Sequence, residues 1–106
     1  MRYTGRIDWQ LNKNIRTELV KRYVDVSKLS IFTAKGIVEI RGELNFIMHS
    51  GEDLSSLTEK LKILESVLMT VPYVKHIVWR LSNWQRVGNK WLPTKEYEKK
   101  LEDTQT

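Results

Sequence analysis

The chain contains no cysteine and only two prolines and two histidines among its 106 residues. Without cysteine there are no disulfides, thiolate nucleophiles or cysteine metal sites. The two histidines, His49 and His76, do not have the spacing of metal ligands, so we expect no metal site and no cofactor. The residue patterns of nucleophilic, paired-carboxylate or phosphate-loop catalysis are also missing. We therefore expect no catalytic residues and no enzymatic activity.

The chain also lacks long apolar runs. No run approaches the length of about 18 residues that spans a bilayer, and residues 1–6 lack the apolar run of a signal peptide. We therefore expect a cytoplasmic protein. A hydrophobic content of 41% and a charged content of 29% are typical of a folded globular chain. We assign residues 1–93 to a single domain and residues 94–106 to a charged tail that is either helical or disordered.

Positive charge is in excess and unevenly spread. The net charge is +5, and residues 72–93 carry basic side chains but no acidic one. Such a bias favours an anionic partner, but net charge also serves solubility alone. The composition leaves both interpretations open.

Apolar periodicity predicts the first half of an α+β fold. Leu11, Ile15, Leu19 and Tyr23 recur every four residues, which predicts an amphipathic helix over residues 8–24. A short strand over residues 29–33 and a second strand, in which apolar and charged residues alternate, follow and form a hairpin.

Two glycines are expected to be structural in this hairpin. Gly36 follows Ala34 and Lys35 in the turn, where a positive φ costs glycine little. Gly42 lies near the end of the second strand, where a turn or bulge explains it.

A second amphipathic helix and two further strand segments follow. Ser56 and Glu59 match a capping box at the helix start, and Pro72 ends the helix. A strand is predicted over residues 73–81. The helix before it forms a right-handed crossover, which makes this strand parallel to the second strand. Residues 84–91 predict a terminal hairpin around Gly88 and Asn89.

The order of these segments over residues 8–83 resembles the BON domain family. The resemblance is carried by the turn and strand at residues 36–38, Gly42 and the two residues after it, and residues 71–77, which contain Pro72. Tyr73 departs from the family pattern because it stands where a glycine is common. The resemblance implies an α-β-β-α-β sandwich, with both helices on one face of a small mixed sheet. It also implies a binding module associated with phospholipid surfaces or protein partners.

The candidate contact surface is the basic, tryptophan-bearing segment over residues 75–91. Indole rings beside cationic side chains suit a partly solvated interface with the phosphate or carboxylate groups of a partner. We expect Trp79 to pack in the core, because it alternates with Ile77 and Leu81. The residues assigned to a protein partner or an anionic membrane are Lys75, His76, Arg80, Trp84, Arg86, Lys90 and Trp91.

Two alternatives remain open from the sequence. The sheet face that no helix covers, or a strand edge, would serve self-association into a homo-oligomer. Aromatic residues beside basic ones would also stack the bases of single-stranded nucleic acid. The sequence contains no Gly-x-x-Gly clamp and no aromatic ribonucleoprotein motif of the common RNA-binding domains.

Overall fold

The computed structural model describes residues 5–47 and 53–99 of the chain. Its elements in chain order are α1 (Gly5–Lys21), a 3₁₀ turn (Val26–Lys28), β1 (Leu29–Ala34), β2 (Ile37–Gly42), α2 (Leu54–Met69), β3 (His76–Leu81), β4 (Trp84–Val87) and β5 (Lys90–Pro93). Residues 95–99, at the start of the predicted tail, are helical. The predicted α+β class is confirmed.

The main sheet has the strand order β1-β2-β3. Strand β1 pairs antiparallel with β2, and β2 pairs parallel with β3, so that Ile40 lies between Ile31 and Trp79. This mixed sheet and its parallel crossover agree with the prediction. Strands β4 and β5 form a separate antiparallel hairpin, which is also as predicted.

The turn between β1 and β2 shows why Gly36 is needed. Ala34 pairs with Ile37, which leaves a two-residue loop. Lys35 and Gly36 have φ angles of 51° and 84°, as a type I′ turn requires. A Cβ atom on Gly36 would also lie 2.9 Å from the carbonyl oxygen of Tyr73. The predicted structural role of this glycine is confirmed.

Gly42 allows a close approach between two backbone segments. Its φ is 118°, and a Cβ atom there would lie 2.1 Å from the carbonyl oxygen of Lys28. The neighbouring amide of Glu43 donates to that same oxygen at 3.1 Å. No side chain fits at this position without moving the backbone.

Helix α2 is followed by a β-turn that contains Pro72, which we call the proline turn. The amide of Val74 donates to the carbonyl of Val71 at 3.2 Å, with Pro72 and Tyr73 between them. Tyr73 has a φ of 73°, the left-handed conformation that favours glycine at this point of a type II turn. Pro72 therefore marks the stop after α2, as predicted.

The core lies between one face of the main sheet and the two helices. It contains the apolar stripe of each helix and the inward residues of β2 and β3, which form one buried cluster. Its most buried members are Leu11, Ile15, Leu19, Val24, Val38, Ile40, Leu44, Leu57, Leu61, Leu64 and Leu68. The opposite sheet face bears Phe32, Glu39 and Arg41, and no described element covers it.

Several predicted boundaries are wrong. Helix α1 ends at Lys21, so Tyr23 is not on its buried stripe and is 62% exposed. The cap of α2 is Asp53, whose Oδ1 accepts from the amide of Ser56 at 2.9 Å. The predicted capping box therefore begins three residues too late. Strand β3 begins at His76, because the proline turn occupies the residues before it.

Candidate functional site

The predicted tryptophan surface does not exist. Trp84 and Trp91 are only 2% and 3% exposed, so they belong to the core. Trp91 packs edge to face on Trp79, and Trp84 packs in the same way on Tyr97. Burial, with Glu43 nearby, raises the pKa of the Tyr97 hydroxyl. The expectation that Trp79 packs with the core is confirmed.

The cations assigned to that surface are scattered. Arg80 lies on the open face of the sheet and pairs with Glu39, whereas Arg86 lies on the hairpin and pairs with Glu65 of α2. Lys90 is exposed on β5. Alternation along β3 places Trp79 and Arg80 on opposite faces, so they cannot share one surface.

The remaining two assigned residues lie at the start of β3. The amide of Lys75 donates to the carbonyl of Gly36 at 2.8 Å. His76 lines a cavity of about 470 Å³ beside Met69 and Trp79. Arg86 of the hairpin lines the same cavity, so His76 and Arg86 are brought together, but Arg86 is paired there with Glu65. His49, the other histidine, lies outside the described residues.

A different group of residues combines exposed apolar surface with positive charge, where α1 ends beside α2. We call it the apolar-basic cluster, and it consists of Lys21, Arg22, Tyr23, Phe46, Ile47, Lys60 and Ile63. Six of these residues line a cavity of about 240 Å³, and the amide of Ile47 donates to the carbonyl of one of them, Tyr23. No acidic residue is among the described residues that line this cavity.

The end of α1 positions the tyrosine of this cluster. The amide of Tyr23 donates to the carbonyl of Val20 at 3.0 Å, and the amide of Val24 donates to that of Leu19 at 3.0 Å. This pair of bonds is the Schellman motif, in which the residue at the Tyr23 position is usually glycine. Tyr23 instead adopts a φ of 64°. Such strain in a bulky residue is often found at functional sites.

A short backbone pairing brings the other side of the cluster into place. The amide of Ile47 donates to the carbonyl of Tyr23 at 2.7 Å, and the amide of Asp25 donates to that of Asn45 at 2.8 Å. Val24 and Phe46 are buried between these two bonds. Tyr23 and Ile47 are therefore adjacent, with exposures of 62% and 65%.

The cations surround this apolar surface. The ammonium of Lys60 lies 5.5 Å from the ring centroid of Phe46, and Lys21 forms a solvent-exposed pair with Glu18 at 3.6 Å. Arg22 forms no ion pair with a residue in 5–47 or 53–99. Ile63, which is 47% exposed, completes the apolar part from α2. The arrangement suits a ligand that is anionic and also offers apolar surface.

The open face of the main sheet is the second candidate surface. Arg41 and Arg80 both bind the Glu39 carboxylate, and the Arg41 guanidinium lies 5.5 Å from the ring centroid of Phe32. Burial acts to raise the pKa of Glu39, but the hydrogen bonds from the two arginines outweigh it and hold the pKa below its ordinary value. Charge pairing within β2 and between β2 and β3 accounts for these residues without a ligand.

Within the described ranges, no helix is long and apolar enough to cross a membrane, and no group of side chains has the composition of a metal site. No protein-family model matches the chain, and no curated protein matches it. The resemblance to the BON family is therefore a proposal that depends on the order of elements and on the positions of Gly36, Gly42 and Pro72.

Proposed function

We propose that this chain is a non-enzymatic binding module that attaches to anionic phospholipid surfaces through the apolar-basic cluster. One observation carries the proposal: Tyr23 and Ile47 are mostly exposed directly beside Lys21 and Arg22. The contact surface is thus at the end of α1, not in the tryptophan-bearing segment.

The apolar members of the cluster supply the first part of the binding energy. Contiguous exposed apolar surface on a small protein is typical of a protein or membrane contact. A tyrosine suits the head-group region because its ring is apolar and its hydroxyl is polar. Ile47 and Ile63 extend the same surface toward the acyl chains. Added salt does not screen this part of the affinity, in contrast to the attraction between charges.

The cations supply the second part. A lysine or arginine near an anionic membrane contributes about 1 kcal/mol. The three cations of the cluster would together contribute about 3 kcal/mol, which corresponds to a roughly hundredfold preference for anionic over neutral membranes. No acidic side chain is among the described residues that line the cavity, and the pair of Lys21 with Glu18 beside it is solvent-exposed. The BON resemblance also implies phospholipid surfaces.

Vesicle flotation tests this proposal. The chain is mixed at low salt with vesicles of phosphatidylcholine alone or with vesicles that also contain phosphatidylglycerol. We expect flotation only with the anionic vesicles, and we expect added salt to reduce it. No flotation with either vesicle at low salt, or equal flotation with both, would overturn the proposal. Binding to single-stranded oligonucleotides alone would support the nucleic-acid alternative instead.

A matched pair of variants separates the cluster from general charge. Lys21→Gln combined with Arg22→Gln removes two cations from the cluster, and we expect the affinity for anionic vesicles to fall by about 10- to 30-fold. Lys90→Gln combined with Lys95→Gln removes the same charge from exposed positions elsewhere. We expect little change from the second pair. Equal losses from both pairs would contradict the assignment of the site.

A further inference from the structure

Strand β1 is an edge of the main sheet, because β2 separates it from β3. In the antiparallel ladder, Ala34 and Ile37 close the two-residue turn as a hydrogen-bonded pair. The alternation that follows directs the backbone amides and carbonyls of Ile31 and Thr33 away from β2. Within the described part of the chain, no backbone or side-chain group pairs with them. These groups are therefore available to another strand.

Strand β1 contains none of the residues that usually prevent an edge strand from pairing. Natural edge strands carry charges, prolines or bulges that prevent association with another chain. Strand β1 has the sequence Leu-Ser-Ile-Phe-Thr-Ala, with no charged residue, no proline and no glycine. The nearest charges, Lys28 and Lys35, lie just outside its two ends. The other edge strand, β3, carries His76 and Arg80.

Helix α1 presents apolar residues on the flank that lies over this edge. The hydroxyl of Thr33 donates to the side-chain oxygen of Asn12 at 3.1 Å, which identifies that flank. At about 100° per residue, Trp9, Arg16 and Val20 lie on the same flank as Asn12. Trp9 is 64% exposed and Val20 is 53% exposed. The opposite flank, which includes Asn14, lines the cavity shared with α2.

We infer that the occupant of this edge is a second copy of the chain. The two β1 strands pair antiparallel around a twofold axis at Ile31, which gives a continuous six-stranded sheet. An axis of this kind is perpendicular to the sheet, so both α1 helices lie on the same side and bring Trp9 and Val20 into the contact. This pairing gives a closed dimer, because neither β1 strand can then pair with a third copy of the chain.

The register follows from the edge groups and the flanking charges. With Ile31 opposite itself, the outward groups of Ile31 form a hydrogen-bonded pair. The amide of Thr33 then faces the carbonyl of Leu29 of the second copy, whose own amide donates to the carbonyl of Val26. Lys28 then stands opposite Ala34 of the second copy, so the flanking lysines do not face each other. On the open face, Phe32 stands opposite the small Ser30 of the second copy. The two phenylalanines are diagonal neighbours, within reach of each other.

Salt distinguishes this contact from membrane binding. The α1 flank also carries Arg16, and the ammonium of Lys13 lies 5.4 Å from the ring centroid of Trp9. Two copies therefore bring like charges together, so added salt strengthens the dimer, whereas it weakens attachment to anionic vesicles. The inference does not rest on the proposed function, and either can fail without the other.

Sedimentation velocity without lipid tests the inference. We expect the full chain to pass from monomer to dimer between low and high micromolar concentration, and we expect the midpoint to fall when salt is added. A chain that stays monomeric at high micromolar concentration at both ionic strengths would overturn the inference. Formation of trimers or open-ended species would overturn it as well, because the paired edges allow only two copies.

Charge variants on the open face test the register. Ser30→Lys combined with Phe32→Lys places like charges opposite each other across the proposed pairing, and we expect only monomers. Ser30→Glu combined with Phe32→Lys places opposite charges there, and we expect dimers to return. Ile37→Lys adds a charge to the same face on β2, away from the edge, and should leave the dimer intact. A dimer that survives the first pair, or that fails to return with the second, would overturn the inference.

Discussion

The indole of Trp79 meets the indole of Trp91 edge to face, with ring centroids 5.0 Å apart and ring planes at 83°. This contact joins the main sheet to the β4–β5 hairpin. An edge-to-face pair of this kind adds about 0.5–1.5 kcal/mol beyond the area that it buries. The hairpin is therefore part of the core, and its tryptophans stabilise the fold.

Replacement of Trp91 tests this role. Since Trp91 is buried, we expect Trp91→Ala to lower the free energy of unfolding by about 3–5 kcal/mol in urea denaturation. Leu92, its neighbour on β5, is 43% exposed, and Leu92→Ala should cost less than about 1 kcal/mol. A similar small cost for both variants would show that the Trp91 ring is not packed as described.

Gly42 and Gly88 make a second comparison, because both have positive φ angles but different surroundings. A Cβ atom on Gly42 would lie 2.1 Å from a backbone oxygen, whereas nothing lies within 4 Å of one on Gly88. We expect Gly42→Ala to cost more than about 2 kcal/mol and Gly88→Ala about 1 kcal/mol, measured by urea denaturation. Equal costs would mean that the close approach to Lys28 is not a feature of the fold.

The cap of α2 gives a third prediction. Because the Asp53 carboxylate accepts from the amide of Ser56, Asp53→Ala should lower the free energy of unfolding by about 1 kcal/mol. Ser56→Ala should cost less than about 0.5 kcal/mol, since Ser56 is exposed and does not cap the helix. A larger cost for Ser56→Ala than for Asp53→Ala would instead support the predicted capping box that begins at Ser56.

The arginine pair around Glu39 predicts a pH dependence. The pKa of Glu39 is lower in the folded chain than in the unfolded one. Its charge therefore stabilises the fold above its ordinary pKa, and this stabilisation is lost as the pH falls through the folded-state pKa. We expect Glu39→Gln to lower the melting temperature at pH 7 and to reduce the further loss on acidification. Glu59→Gln, on the exposed side of α2, is the control, and an equal effect of both variants would contradict this assignment.

Local sequence patterns predict most of the fold. The leucine spacing of α2, the alternation in β2 and the Lys35-Gly36 turn are each determined by neighbours in the chain. The sequence therefore predicts the α+β order and the parallel pairing of β2 with β3. The boundaries of α1 and the cap of α2 are less well predicted, because several adjacent residues are suitable at a helix end.

The candidate site could not be predicted in the same way. The burial of Trp91 depends on the hairpin folding back toward α2, a contact between distant parts of the chain. Strand β5 alternates between exposed and buried positions, but the exposed Leu92 is apolar, so the sequence Lys-Trp-Leu-Pro does not mark Trp91 as buried. Tyr23 continues the apolar spacing of α1, so nothing local marks its left-handed conformation.

Tyr23→Gly is the most direct test of the central claim that the apolar-basic cluster is a membrane-binding site. Glycine adopts the Tyr23 conformation without strain, so we expect the free energy of unfolding to rise by about 1 kcal/mol. The same change removes the exposed ring, so we expect the affinity for anionic vesicles to fall by about tenfold. Tyr73→Gly relieves a similar strain in the proline turn after α2 and should leave vesicle binding unchanged. Unchanged vesicle binding by Tyr23→Gly, or an equal loss with Tyr73→Gly, would contradict the account.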